Sequence, residues 1–344
     1  MKRYKFEKAE LHVSAELIDK MTNACLSVPK ITRSAVSEQA GVSLVTAGKF
    51  LAAMDECKFT YKKLHYSEGS PKASYCHTLN EALSILVIDL SSQCYSMSII
   101  RGKTECRFFE QYDYDPSITF SDNLYLFLSR SGATAVKQPF GISAICIIIS
   151  DEKPTDPLSL VSTRATTEKD IPMVESTVAR FFSTQPILCI KASDAISSAL
   201  KHNAINTASG CTTAHIYVGK GLSLSIYSDR DTRCVCNVKD LLVNGTDTAS
   251  DLHKQMLSEE DLGKILYRLV NFADCAFSPE KYIIEYDTVK FGSTALRYVK
   301  RAFAAVGKPL PDTIAIDHSS SLSVLGAATE AAIRLIKLHI TQAE

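Results

Sequence analysis

The sequence predicts an α/β protein in two parts, an N-terminal winged helix-turn-helix followed by a larger two-lobed body. Three observations carry this reading. Residues 31–57 hold two short helical stretches around a glycine-containing turn, and residues 59–79 alternate as a two-stranded wing. Two triplets of short strands, starting near Ser84 and Cys211, are each followed by helix–strand alternation. That repetition is the mark of a duplicated α/β architecture with a cleft between its lobes.

In the head, Leu11, Val13, Leu17, Ile18, Met21 and Leu26 make a near-helical stripe over residues 11–26, stopped by Pro29. Thr32 caps a helix over 33–40, ended by Gly41, which can take the left-handed conformation of a tight turn. Ser43 caps the next helix, 44–57, with Val45, Phe50, Leu51 and Met54 available for a core. This is the spacing of a DNA-reading unit, whose second helix enters the major groove with its N-terminal residues at base edges. Ser43, Leu44, Thr46 and Lys49 are therefore the candidate base or phosphate contacts. In the wing, Lys62, Lys63 and Lys72 are placed to meet phosphates, contacts that give affinity without sequence information. Two features run the other way. Gly48 costs the second helix about 1 kcal/mol relative to alanine, and Leu44 and Val45 offer bases no hydrogen bonds. A three-helix bundle without any nucleic-acid role yields the same pattern.

Charge leans toward the DNA reading without deciding it. Through Asn80 there are 12 Lys+Arg against 8 Asp+Glu, and the remainder carries 26 against 30, a basic head on a slightly acidic body. With 344 residues, 46% of them hydrophobic, the chain is long enough for two or three domains and a sizeable core. No apolar run reaches the roughly 20 residues of a membrane span, and the charged start lacks the apolar segment of a secretory signal. Eleven cysteines without regular spacing fit reduced thiols in a cytoplasm.

The body reads as strands over 84–90, 95–101 and 105–112, a buried strand over 141–149, a helix over 171–182 and a strand over 187–190. Asp194 opens the next helix. Strands over 211–218, 222–228 and 232–238 follow, then a helix at 258–272, a strand at 281–285, a helix at 294–306, a strand at 313–316 and a last helix to about 339. The polar, proline-containing stretch 151–170 is expected to be a surface loop. The expected domains are a head over 1–82, a first lobe over 83–195 completed by the C-terminal helix at about 320–344, and a second lobe over 196–319.

Five segments taken in this order, the wing, "ILVIDLSSQCYSMSII", "PILCIKASDAISSAL", "HIYVGKGLSLSI" and "SVLGAATEAAIRLI", resemble the repressor/open-reading-frame/kinase (ROK) family over nearly the whole chain. Gly326-Ala327-Ala328 and the helix-turn-helix carry it best. The resemblance implies an actin-like (ribonuclease H-like) sugar-kinase, or ATPase, fold and, for regulators of the family, an N-terminal winged helix.

It also implies where a kinase would keep its chemistry. The family's first phosphate hairpin, Asp-Ile-Gly-Gly-Thr-Lys, stands here as Asp89-Leu90-Ser91-Ser92-Gln93-Cys94, which keeps the aspartate alone. Side chains on Ser91 and Ser92 limit the close backbone approach a phosphate needs. The second loop keeps Gly219 and Gly221 around Lys220, which a plain hairpin turn also explains. The sugar motif reads Ala192-Ser193-Asp194-Ala195-Ile196. Asp194 holds the position of the family's catalytic base, but a carboxylate in a first helical turn needs no substrate. Glu285-Tyr286 stands at the adenine-side glycine pair. Cys234 and Cys236 remain of the zinc run, short of the four ligands a closed site requires. Asp89, Ser91, Ser92, Gln93, Asp194, Gly219, Lys220 and Gly221 are the candidate cleft residues.

Phosphoryl transfer depends on positioned electrostatics, so the joint departures predict a pseudokinase that needs neither ATP nor zinc as a cofactor. The expected protein is a homodimeric transcription regulator. Its partners are double-stranded DNA and a small, sugar-like effector. The rival expectations are a sugar kinase with atypical loops, working through Asp194, and a protein-binding module.

Overall fold

The computed structural model describes residues 2–6, 10–28, 30–66, 73–80, 82–91, 94–102, 104–139, 141–150, 166–182, 185–202, 211–218, 222–228, 231–237, 258–287 and 292–342. The chain forms two compact units, residues 1–204 with 322–344, and residues 205–321. Among the described residues no helix is long and apolar enough to cross a membrane.

The first unit begins with an antiparallel ribbon, β1 (Lys2–Lys5) with β2 (Glu10–Val13), and α1 (Ala15–Ser27) follows. The expected helix over 11–26 is thus corrected at its start. Leu11 and Val13 are buried two residues apart with His12 exposed between them, the period of a strand rather than a helix. Leu11 lies opposite the buried Tyr4. The helix starts only where the Ser14 hydroxyl accepts a hydrogen bond from the Leu17 amide at 3.3 Å.

Next come α2 (Arg33–Ala40) and α3 (Leu44–Glu56), capped by the Thr32 and Ser43 hydroxyls and joined through Gly41 at φ 65°. The wing is β3 (Thr60–Tyr66) paired antiparallel with β4 (Ala73–Leu79).

The body of this unit is a five-stranded sheet in the order β7-β6-β5-β8-β9. β5 (Ser84–Asp89), β6 (Cys94–Arg101) and β7 (Glu105–Asp113) form an antiparallel meander, while β8 (Ala144–Ile149) and β9 (Ile187–Lys191) run parallel to β5. On one face Leu86, Ile88, Ile145 and Ile147 pack with Phe120, Phe127, Val174 and Val178. These last four come from α4 (Phe120–Phe127) and α6 (Ile171–Phe181). A π turn over Leu128–Gly132 links α4 to the short α5 (Ala133–Val136). β8 is buried at every position, because α10 (Leu322–Gln342) covers the other face and packs on α7 (Ala192–Lys201). α7 therefore belongs whole to the first unit. The expected domain boundary at 195 would have cut it in its first turn, and the expected loop at 151–170 lies, up to residue 165, outside the described residues.

The second unit repeats the topology, with sheet order β12-β11-β10-β13-β14. β10 (Thr213–Val218), β11 (Leu222–Ser228) and β12 (Asp231–Asn237) form the meander, and β13 (Lys281–Tyr286) and β14 (Asp312–Asp317) run parallel to β10. α8 (Glu259–Phe277) and α9 (Thr294–Ala305) supply Leu262, Leu266, Val270, Val299 and Phe303 to a core with Ile216, Tyr282, Ile284 and Tyr286.

Candidate nucleic-acid interface and ligand cavity

α3 separates its two faces by helical spacing. Ala47, Phe50, Leu51, Ala53 and Met54 are buried, while Val45 and Lys49 are exposed on the other side. Val45 was expected in the core; it is 67% exposed, because its position lies across the helix from that stripe. Leu44 is 54% exposed beside it. The Ser43 hydroxyl accepts from the Thr46 amide at 3.1 Å and shares a hydrogen bond with Thr46 Oγ1 at 2.9 Å. The mutual bond uses one of the two hydroxyl protons, so one donor of this pair stays open to a partner.

Asp55, in the last turn of α3, sets the wing. Its Oδ1 accepts from Thr60 Oγ1 at 2.6 Å and lies 2.9 Å from His77 Nδ1, so one carboxylate oxygen holds both wing strands. The His77 amide also donates to the Ile31 carbonyl at 2.7 Å, tying β4 to the residue before the Thr32 cap of α2. On the wing so fixed, Lys62 and Lys63 are exposed, and Lys72 lies outside the described residues.

Arg33 was not anticipated. It opens α2, and its side chain lies over Gly48; a Cβ there would stand 3.0 Å from Arg33 Nε. The glycine that counted against a recognition helix leaves room for a guanidinium across it. A residue with no side chain on an otherwise well-formed helix was the available signal.

The head is joined to the body within the same unit. Ser27 at the end of α1 gives its hydroxyl proton to the Asn23 carbonyl at 2.7 Å, leaving its oxygen to accept from His202 Nδ1 at 3.2 Å. His202 is 1% exposed, and its Nε2 lies 3.9 Å from Glu330 Oε1, which also accepts from Ser198 Oγ at 2.8 Å. Lys337 pairs with Asp19 at 2.8 Å, and the His339 ring meets Phe59 edge-on at 5.3 Å.

In the body, the three parallel strands bring their C-terminal ends to one edge of the sheet, the place where open α/β sheets bind ligands. Asp89 ends β5, Ile149 ends β8, and Lys191 ends β9 directly before α7. A cavity of about 410 Å³ opens there, with Asp194, Lys191, Glu168, Glu330, Arg334 and Cys189 among its lining residues. Lys191 pairs with Glu168 at 2.8 Å, and this contact holds the Glu168 carboxyl below its usual range. Asp194 is exposed in the first turn of α7, the third residue of the helix rather than its first.

Asp89 is committed to its own loop, accepting from the Ser91 amide at 2.9 Å and the Ser91 hydroxyl at 2.6 Å. Asp89 and Ser91 do not line the cavity with Asp194. Ser92, Gln93, Gly219, Lys220 and Gly221 lie outside the described residues. In the second unit, Tyr286 is buried and donates to the Gly292 carbonyl at 2.8 Å, while Glu285 meets His215 at 3.2 Å, both side chains 4% exposed. Among the described residues no three His, Cys, Asp or Glu side chains gather as metal ligands.

No family model and no curated protein matches this sequence. Solved structures do match. A ROK-family transcriptional regulator, a homologue of the Escherichia coli Mlc protein, superposes with a TM-score of 0.56 at 12% identity, over 95% of this chain and 99% of its own. An inorganic polyphosphate/ATP-glucomannokinase from Arthrobacter sp. strain KM reaches 0.50 at 15% identity, over 73% of this chain and 99% of its own. The chain therefore has the fold of ROK-family proteins, the actin-like sugar-kinase fold.

Proposed function

We propose that the protein is a DNA-binding transcription regulator whose sugar-kinase-like body serves dimerisation and ligand sensing rather than phosphoryl transfer. The observation that carries this is the head. α3 turns a face outward with Lys49 on it and Arg33 lying against Gly48, and the wing exposes Lys62 and Lys63, groups suited to a helix in the major groove flanked by phosphate contacts. The fold likeness supports it in extent. The regulator matches 95% of this chain, whereas the glucomannokinase matches 73%.

The body supports it chemically. Asp89 is bound into its own turn by Ser91, and a buried tyrosine and glutamate occupy the positions that the resemblance gives to adenine-side glycines. The cavity at the edge of the first sheet is the effector site of this reading. Glu330 lines it and contacts Ser198 and His202, and His202 contacts Ser27 of the head.

The test is selection from a random duplex pool by the full-length protein at near-physiological salt. A dimeric regulator enriches a palindrome with half-sites about 10 base pairs apart. Salt-sensitive binding with no enriched sequence overturns the proposal.

One observation favours a second reading. Asp194 is exposed in that cavity, where a sugar kinase keeps its general base. A kinase would consume ATP with a hexose or amino sugar, and Asp194→Asn would abolish the turnover. Folded protein silent across a broad sugar panel removes this reading.

A further inference from the structure

We infer that the first turn of α3 reads thymine through its C5-methyl group, with Leu44 and Val45 as the specificity-determining residues. This rests on the DNA-reading proposal and adds to it what is read.

The first turn of α3 presents two apolar side chains to solvent. Ser43 and Thr46, its two polar side chains, are hydrogen-bonded to each other and to the helix start. Leu44 and Val45 are the apolar side chains of the same turn, at 54% and 67% exposure, and Val45 is the most exposed large hydrophobic among the described residues. The core buries Ala47, Phe50, Leu51, Ala53 and Met54 of this helix and leaves both of them in water. Two branched aliphatic side chains held in water by a capped helix start gain free energy from a surface that covers them.

The surroundings state what kind of surface that is. Val45 shares its side of the helix with Gly48, Lys49 and Ala52, at spacings of three, four and seven. Gly48 and Ala52 are small enough for close approach, and Lys49 brings a cation. Arg33 lies alongside at Gly48, and Lys62 and Lys63 are exposed on the wing. An apolar pair on a helix start that also carries Lys49, with Arg33 alongside, suits a polyanion with apolar spots rather than an apolar protein face. Duplex DNA has one such spot in its major groove, the methyl group of thymine, which apolar side chains contact directly.

The experiment uses the full-length protein and the duplex it selects, with each thymine replaced singly by deoxyuridine, a change that removes the methyl group alone. Burial of one methyl-sized group predicts about fourfold weaker binding at each contacted position. One or two such positions are expected in each half-site. Leu44→Ala and Val45→Ala should each erase the thymine–uracil difference at one position. Lys49→Ala should weaken both duplexes equally and leave their ratio unchanged. Both aliphatic side chains are exposed, so these variants test contact rather than folding. Full affinity for every uracil-substituted duplex, with the parent still bound, overturns the inference and leaves the regulator standing. Failure to select any sequence overturns both.

Discussion

Gly326 of α10 touches the backbone of Ala195 on α7: a Cβ built on Gly326 would stand 1.7 Å from the Ala195 carbonyl oxygen and 2.9 Å from the Ala199 amide nitrogen. Both obstacles are helix backbone, so neither can swing aside. The contact sets how α7 crosses α10, and with it the place of Asp194, one residue before the contact. It also fixes Ser198, which meets Glu330 one turn further along both helices. Helix packing thus accounts for the glycine of the Gly326-Ala327-Ala328 motif.

Gly326→Ala should accordingly cost about 3 kcal/mol or more, the upper end of overpacking penalties, because the strain falls on two main chains. Urea unfolding followed by far-UV circular dichroism measures it. A loss below about 1 kcal/mol would mean that the two helices do not cross this closely.

Gly48 should behave in the opposite way. Its neighbour is the far end of the Arg33 side chain rather than backbone, so Gly48→Ala moves a guanidinium by a few tenths of an ångström. Stability should hold or rise by up to about 1 kcal/mol from helix propensity, while DNA affinity falls as Arg33 is displaced. Arg33→Ala should lower affinity for all sequences alike and reduce the salt slope by about 0.9. Thermal melts set against fluorescence anisotropy separate the two effects. A joint fall in stability and affinity would assign Gly48 to the fold.

The head was legible because its signals are local. Thr32, Gly41 and Ser43 are capping and turn residues whose chemistry needs no knowledge of the rest of the chain, and each sits where its chemistry requires. The strands themselves were legible for the same reason, as short apolar runs bounded by turns, although their order in each sheet was not read. What escaped was non-local. Leu11 and Val13 fit a helical stripe until β1 is available to pair with them. Val45 is apolar and fits a core by type, but the fold buries the opposite side of its helix. Arg33 over Gly48, the hold of Asp55 on both wing strands, and the Ser27–His202–Glu330 contacts join residues far apart in sequence, and no periodicity announces such contacts. The cavity at Asp194 was half legible. The helix start was readable, but Glu330 and Arg334 arrive from the far C-terminal helix.

His202→Ala should reveal how firmly the head is seated. The side chain is 1% exposed and meets Ser27 of the head and Glu330 of α10, so its removal leaves a cavity and takes a partner from each. A loss of about 2–4 kcal/mol follows from those two effects together. Asp19→Ala, which breaks the partly exposed pair with Lys337, should cost under about 1 kcal/mol. Denaturant unfolding of the two variants in parallel checks the order. Equal losses would mean that the seam is held by its surface charges.

The thiols give the fold a dependence on alkaline pH whose sign can be worked out. Burial pushes Cys25 up to about 12, and burial with the Glu175 carboxylate beside it pushes Cys189 up to about 12. An unfolded thiol loses its proton near about 8.5, so between that value and about 12 the native chain holds protons that the unfolded chain has released. Stability then falls as pH rises across this window, since the native state binds the more protons. Replacing both by alanine removes two of the groups responsible. The double variant should therefore lose less stability than the parent between pH 8 and pH 10.5, even if it starts lower because of the cavities left. At pH 8 both thiols are protonated in the native state, so alkylation should reach the exposed Cys275 first and Cys189 only slowly, although Cys189 lines the cavity. Urea midpoints at several pH values and mass-resolved labelling supply the two readouts. Parallel pH profiles for parent and double variant, or Cys189 labelled as fast as Cys275, would show that water reaches these thiols in solution.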